Sequence, residues 1–301
     1  MKQLFLRSLS FLQGAILTIL VVLNTLLIVP FMVTLAFIKL IPISALQTLC
    51  QRGLNVVSVY WVILNNIIAR YVTTIKVSKG YDDLVLSEKK SYLAMSNHQS
   101  WLDIIVLQSL LYRKIPAFKF FLKSSLIWVP LLGICWWALG YPFMKRYSKA
   151  YLAKHPEKKG QDFLATKKAC EKFKVTPVSI MNYPEGTRYT KEKHQQQGIE
   201  FKHLLKPKAG GLAYALPILG DTIDSLLDLT IVYPSKETTL MDFLCGRVPL
   251  IKADLRKIDI PKEFYTMDYS NDDAMRVKFQ NWFNDRWQEK DALIESMQYN
   301  K

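Results

Sequence analysis

In Asn97-His98-Gln99-Ser100-Trp101-Leu102-Asp103 an imidazole and a carboxylate stand five positions apart. The segment lies where a short apolar, β-prone run (92–96) meets a helical apolar pattern (104–111), so 97–100 reads as the connecting turn. Residues five apart on one helix point to different faces. The pair can therefore meet only if His98 precedes the helix and Asp103 lies in its first turn. In that geometry the carboxylate keeps one ring nitrogen protonated and leaves the other to take a proton from a hydroxyl. Ser100-x-x-Asp103 is equally a helix-capping pattern. The two readings are compatible, because a cap can fix the acid that orients the histidine.

Two further polar clusters fall at expected strand ends. Gly140 to Arg146 reads as a strand with a basic tip at Lys145 and Arg146, and the 178–183 strand runs into Pro184-Glu185-Gly186-Thr187-Arg188. Open α/β sheets bind ligands outside the carboxyl ends of their strands, which would bring these groups into one crevice. Arginine and lysine near a base suit a phosphate, since guanidinium binds phosphate through two parallel donors. Each of these cations is also compatible with an ordinary solvated surface. Gly186 marks a sharp turn or a close backbone approach. Lys206-Pro207-Lys208-Ala209-Gly210-Gly211 precedes another helical pattern and offers backbone N–H groups and a lysine at a helix start.

Around these groups, strand patterns at 73–79, 92–96, 117–123, 140–146, 178–183, 226–233 and 248–255 alternate with helical ones. An amphipathic helix is expected over 161–173, and another closes the chain over 271–297 with Phe279, Trp282, Phe283 and Trp287 at helical spacing. This order predicts an α/β domain with a mixed, largely parallel sheet flanked by helices. It should occupy 72–301, behind an amino-terminal hydrophobic helical membrane anchor and interfacial helices at 1–71.

The anchor rests on 31 consecutive uncharged residues between Arg7 and Lys39. As a helix they extend about 46 Å, against a hydrocarbon core of about 30 Å. No small-x-small cleavage site follows, so the run reads as an uncleaved anchor. Basic residues flank both sides, which leaves two topologies open: a single tilted span, or a shallow hairpin kinked near Pro30. Residues 44–71 suit an interfacial helix, and the apolar stretch 126–139, with Trp128, Trp136 and Trp137, is either a second membrane contact or a core helix.

Forty Lys and Arg against 25 Asp and Glu give a formal charge of +15, which calls for an anionic partner. The dispersed basic residues and the apolar amino terminus favour phospholipid over nucleic acid. Cys50, Cys135, Cys170 and Cys245 form no Cys-x-x-Cys pair and join no histidine cluster, so they read as packed, reduced thiols, with neither a disulfide framework nor a metal site indicated.

Taken together these blocks resemble the glycerolipid acyltransferases, the 1-acylglycerol-3-phosphate acyltransferase family. Asn97-His98-x4-Asp103 matches its first motif, Phe143-Met144-Lys145-Arg146 its second, Pro184-Glu185-Gly186-Thr187-Arg188 its third and Leu216-Pro217-Ile218 its fourth. The fourth carries Leu216 and Ile218 where the family usually has valines. Similarity beyond them, at 192–194, 205–211 and 287–291, resembles the longer membrane-anchored branch with lysocardiolipin and lysophosphatidylinositol acyltransferases and bacterial relatives. The resemblance implies His98 as general base and Asp103 as its partner. It places Lys145, Arg146, Glu185, Gly186, Thr187 and Arg188 in the acceptor site, with Asn97, Lys208, Gly210 and Pro217 in support.

The implied reaction moves an acyl group from acyl-CoA or acyl carrier protein, as co-substrate, to the free hydroxyl of a lysophospholipid, foremost 1-acylglycerol-3-phosphate giving phosphatidic acid. No cofactor or metal is needed. The implied location is a bacterial inner membrane with the catalytic domain facing the cytoplasm. The alternatives are another lysophospholipid acceptor, of the lysophosphatidylglycerol, lysocardiolipin or lysophosphatidylinositol type, and a non-catalytic protein of the same fold that binds anionic lipid.

Overall fold

The computed structural model describes residues 2–130, 132–144, 154–155, 170–171, 177–198, 200–235, 238–269 and 271–299. Lys145, Arg146 and nearly all of the helix expected over 161–173 lie outside them.

Two long helices lead, α1 (Lys2–Ile38) and α2 (Ser44–Val72). Then come β1 (Thr74–Val77), β2 (Ser91–Ser96), α3 (Leu102–Leu111), β3 (Phe118–Phe120), β4 (Leu122–Lys123), α4 (Leu132–Ala138), β5 (Phe143–Met144) and β6 (Ser179–Asn182). The remainder is α5 (Lys191–Gln197), α6 (Gly210–Leu219), β7 (Ile223–Val232), α7 (Leu240–Leu244), β8 (Leu250–Ile258) and α8 (Asp273–Tyr299). The sheet order is β1-β8-β7-β2-β6-β3, and β4 pairs with β5 apart from it. Every pairing in the main sheet is parallel except β7 with β8. A mixed, largely parallel sheet flanked by helices is what the alternating patterns predict.

β2 is buried along its whole length because both faces are covered. Tyr92 and Ala94 pack with Leu102 and Val106 of α3, and Leu93 and Met95 pack with Leu212 and Leu216 of α6 and with Phe279 and Phe283 of α8. Burying a side chain of this size stabilises by about 1.5–3 kcal/mol. Deep in the α8 layer, the fully buried Lys290 donates to Leu229 O at 2.8 Å and Thr230 Oγ1 at 2.9 Å, and its ammonium lies 2.5 Å from Asp228 Oδ1. Its charge is thus met on the sheet it packs against, which fixes α8 to β7.

Two elements differ from the sequence reading. The expected strand over 117–123 divides at Phe121, one piece in each sheet. The stretch 126–139 is broken at Pro130, as its sequence leads one to expect, into a 3₁₀ turn (Ser124–Trp128) and α4. The hairpin kinked near Pro30 is corrected: α1 runs straight through that proline and the chain reverses over 39–43, beside Pro42. Pro30 forfeits one bond of the helix ladder, but Val29, Met32 and Ala36 are buried against Leu54 of α2 and Cys135 and Ala138 of α4. That packing outweighs one missing N–H.

α1 is long and apolar enough to cross a membrane. It also touches the α/β domain near both ends. Ser10 Oγ donates to Cys245 O at 2.8 Å, and Lys39 Nζ donates to Ala138 O at 3.2 Å. Large side chains between these points, among them Phe11, Leu27, Phe31 and Phe37, are exposed.

Candidate active site

β2, β6 and β7 run parallel in adjacent positions, so the chain leaves all three at one end of the sheet. β2 exits into Asn97-His98, β6 into 183–188 and β7 into Tyr233. The buried Asn97 continues the ladder with its side chain: its Nδ2 donates to Ile231 O at 2.8 Å and its Oδ1 accepts from Ile231 N at 2.9 Å. This pair of hydrogen bonds ties the turn to β7 where the chain leaves the sheet.

His98 Nδ1 lies 2.8 Å from Asp103 Oδ2, and Asp103 is sealed from solvent. The same Oδ2 accepts the peptide N–H groups of Gln99 at 2.8 Å and Ser100 at 3.0 Å, while Oδ1 accepts the Tyr233 hydroxyl at 2.6 Å. Ser100 Oγ accepts the N–H of Leu102 and donates to Thr238 O. Capping and orienting are therefore one arrangement, in which the first-turn acid reaches back into the turn that carries the histidine. With Nδ1 engaged, the other ring nitrogen, Nε2, is the one left to accept a proton.

Tyr183 stacks on the imidazole, with ring centroids 4.1 Å apart and planes 20° from parallel. Its buried hydroxyl has no hydrogen-bond partner among the described residues, and burial together with the nearby Asp103 pushes its pKa well up. The stack continues through Phe120 at 6.3 Å to Tyr141 at a further 6.3 Å. Tyr141 borders an apolar cavity of about 140 Å³ lined also by Val29, Met32, Trp61, Phe118, Cys135 and Trp136. Lys119 lies at its edge, donating to Leu139 O at 2.6 Å. Burial, and then repulsion from Lys39, brings its amine down to about 8.

The 183–188 turn places its residues differently from one another. Arg188 is exposed, its guanidinium 5.0 Å from the centroid of the exposed Trp101 ring. Thr187 Oγ1 accepts from Lys193 Nζ at 2.8 Å. Gly186 has φ +67°, a conformation that favours glycine, and Lys208 Nζ lies close beside it, 3.1 Å from where a side chain would start. Lys208 is joined to the turn by its own N–H on Pro184 O at 2.8 Å. Glu185 instead faces inward, 1% exposed. Its Oε1 accepts the His98 N–H at 2.7 Å and its Oε2 the Leu205 N–H at 3.2 Å. Burial pushes this carboxyl up to about 7, against the pull of those two donors.

The structure thus gathers His98, Asp103, Asn97, Glu185, Gly186, Thr187, Arg188 and Lys208 at one end of the sheet. Gly210 opens α6 beside them, whereas Pro217 lies about 10 Å along that helix. Lys145 and Arg146 are outside the described residues. Tyr183 and Tyr233 are additions. Only their places just before Pro184 and Pro234, at strand exits, could have signalled them.

The acyltransferase family model matches residues 77–231, which include the His98, Glu185 and Arg188 turns. Among curated proteins, the chain is 26% identical to 1-acyl-sn-glycerol-3-phosphate acyltransferase epsilon of Mus musculus over 71% of this chain and 60% of that one. It is 27% identical to the 2-acyl-1-lysophosphatidylinositol acyltransferase of Saccharomyces cerevisiae, over 70% and 62%. It is 24% identical to lysocardiolipin acyltransferase 1 of Danio rerio, over 78% and 59%. The chain thus spans about 60% of the length of the curated relatives it matches. The crystal structure of the 1-acyl-sn-glycerophosphate acyltransferase PlsC from Thermotoga maritima aligns with a TM-score of 0.48 at 14% identity, covering 96% of this chain and 99% of that one. With more than half of its length matched by the family model, including the turn that carries His98, the chain belongs to the acyltransferase family.

Proposed function

We propose that this protein is a membrane-bound O-acyltransferase that moves a fatty acyl group from a thioester, acyl-CoA or acyl carrier protein, to the free hydroxyl of a lysophospholipid. The observation that carries the proposal is His98 Nδ1 held at 2.8 Å by the sealed Asp103. His98 Nε2 takes the hydroxyl proton as the oxygen attacks the thioester carbonyl. The tetrahedral intermediate then collapses, an ester forms, the carbon–sulfur bond breaks, and the proton on His98 goes to the departing thiolate. Because thiolate leaves readily, one oriented base plus positioning is sufficient; the scheme uses no metal or cofactor. Arg188 and Lys208 supply charge for the acceptor phosphate, a role the motif resemblance extends to Lys145 and Arg146. The apolar cavity and its row of rings offer the acyl chain a route to His98.

1-Acylglycerol-3-phosphate is the acceptor we favour, because a terminal phosphate suits this basic turn. A lysophospholipid with a larger headgroup is the second reading, favoured by the names of the yeast and zebrafish relatives.

The membrane attachment proposed is an in-plane hairpin on the cytoplasmic side. Ser10 and Lys39 are 29 residues apart, about 43 Å along α1, yet both bond to the α/β domain. A helix crossing a hydrocarbon core of about 30 Å would carry one of those contacts to the opposite surface. Lying along the membrane keeps both, and puts the exposed apolar face of α1 in lipid.

Four outcomes are expected. His98→Ala lowers phospholipid formation from lysophosphatidate and long-chain acyl-CoA by about 10³-fold while vesicle binding persists. Silence of the wild-type protein with every thioester donor and lysophospholipid would sink the proposal. Arg188→Ala raises the acceptor KM by about tenfold and leaves the thioester KM near its starting value; equal effects on both would remove Arg188 from the phosphate site. Spin labels at Leu12→Cys, Leu27→Cys and Phe37→Cys report similar depths within one leaflet, whereas a depth passing through the bilayer centre would mean a span.

The fourth concerns pH. Folded Glu185 holds its proton to about pH 7, but in the unfolded chain only to about its ordinary 4.5. Its contribution to stability is therefore undiminished below 4.5, falls by about 3 kcal/mol as pH rises through that window, and is level above it. Denaturation of wild type and Glu185→Gln across pH 4 to 8 should show this fall only in the wild type.

A further inference from the structure

The carboxyl-terminal helix α8 holds a segment that reaches the turn of His98. Asp291 accepts the peptide N–H of His203 on Oδ1 and that of Lys202 on Oδ2, both at 2.8 Å. One turn earlier, the indole N–H of the fully buried Trp287 donates to Leu205 O at 3.0 Å. Between them Lys290 ties the helix to β7. Residues 202–205 are thus strapped along a helix that cannot slide against the sheet.

The far side of the strap meets Glu185. Leu205 N–H donates to Glu185 Oε2 at 3.2 Å, while Glu185 Oε1 takes the His98 N–H at 2.7 Å. The His98 carbonyl accepts Tyr189 N–H at 2.7 Å, so the peptide groups on both sides of its Cα are pinned. A carboxyl group 1% exposed has little room to trade these donors for water or for a substrate hydroxyl.

We infer that Asp291 and Trp287 are positioning residues for His98, acting through the 202–205 strap and through Glu185, which braces the histidine's turn and does not bind the acceptor. The inference rests on His98 as the base of the proposed reaction. Displacing the strap moves Leu205 N–H off Glu185, lets the carboxyl group shift, and loosens the backbone that aims the imidazole. Such a displacement degrades the attack geometry while leaving the substrate contacts of Arg188 and Lys208 in place.

Asp291→Asn tests this, because an amide cannot accept both N–H groups through two oxygens. The expected result is a kcat lower by about 10- to 100-fold with both substrate KM values within about twofold. Hydrogen–deuterium exchange should quicken at 95–101 and 202–205 and be unchanged in β8. Trp287→Phe, which keeps the ring and loses the donor, should act in the same direction and decides the matter if Asp291→Asn does not fold. Glu289→Gln, on the exposed side of the same helix, should alter neither readout. The inference is overturned if the strap exchanges faster while kcat holds, or if acceptor KM rises at constant kcat. If the wild-type protein transfers no acyl group, the proposed function fails first and exchange alone judges the brace: unchanged protection at 95–101 in both variants sinks it.

Discussion

The site is organised around the burial of one carboxyl group. Asp103 has no exposed surface, and a carboxyl in that position is tolerated only when its oxygens are met by donors. Four donors meet it: the His98 ring, the Gln99 and Ser100 peptides, and the Tyr233 hydroxyl. Three belong to the turn between β2 and α3, so satisfying Asp103 and shaping that turn are one event. The fourth comes from the end of β7 and makes the site depend on the parallel pairing of β2 with β7. The orientation of the histidine follows from that arrangement.

What the sequence could disclose divides along the same line. His98, Asp103 and the strand–turn–helix between them are local, and local spacing suffices to say that a first-turn acid can reach a residue just before the helix. The parallel core strands were legible from their apolar runs, and the turns at 97–100 and 184–188 from their residue types. Tyr233 was not, because its partner lies 130 positions away and its hydroxyl bond exists only once β7 is seated beside β2. The inward direction of Glu185 was not legible either, for a related reason. Its two backbone donors, His98 N–H and Leu205 N–H, lie 87 and 20 positions away and meet it only in the fold.

The amino-terminal helices show the opposite limit. Their composition announced lipid, and it also suggested a break at Pro30 that packing overrides. A proline removes one donor, a local and bounded loss. The alternating contacts of α1 with α2 and α4 extend along the helix and outweigh it. The reversal falls instead over 39–43, where Lys39 leaves the apolar run and donates to Gln51 and to the end of α4.

These constraints converge on the direction from which substrates can come. Arg188 stands on the turn that follows β6 and Lys208 is hydrogen-bonded to it through its own N–H, while Tyr183 on that same turn covers one face of the imidazole. The rings of Phe120 and Tyr141 continue from that covered face towards the apolar cavity between the domain and the two amino-terminal helices. In the proposed reaction a phosphate-bearing acceptor and an acyl chain differ above all in what they demand of solvent, one requiring charge and the other its absence. A single turn that presents an exposed arginine on one side and a half-buried aromatic ring on the other divides those demands within a few residues of the base. The in-plane attachment of α1 would then hold this turn at the surface that carries the lysophospholipid.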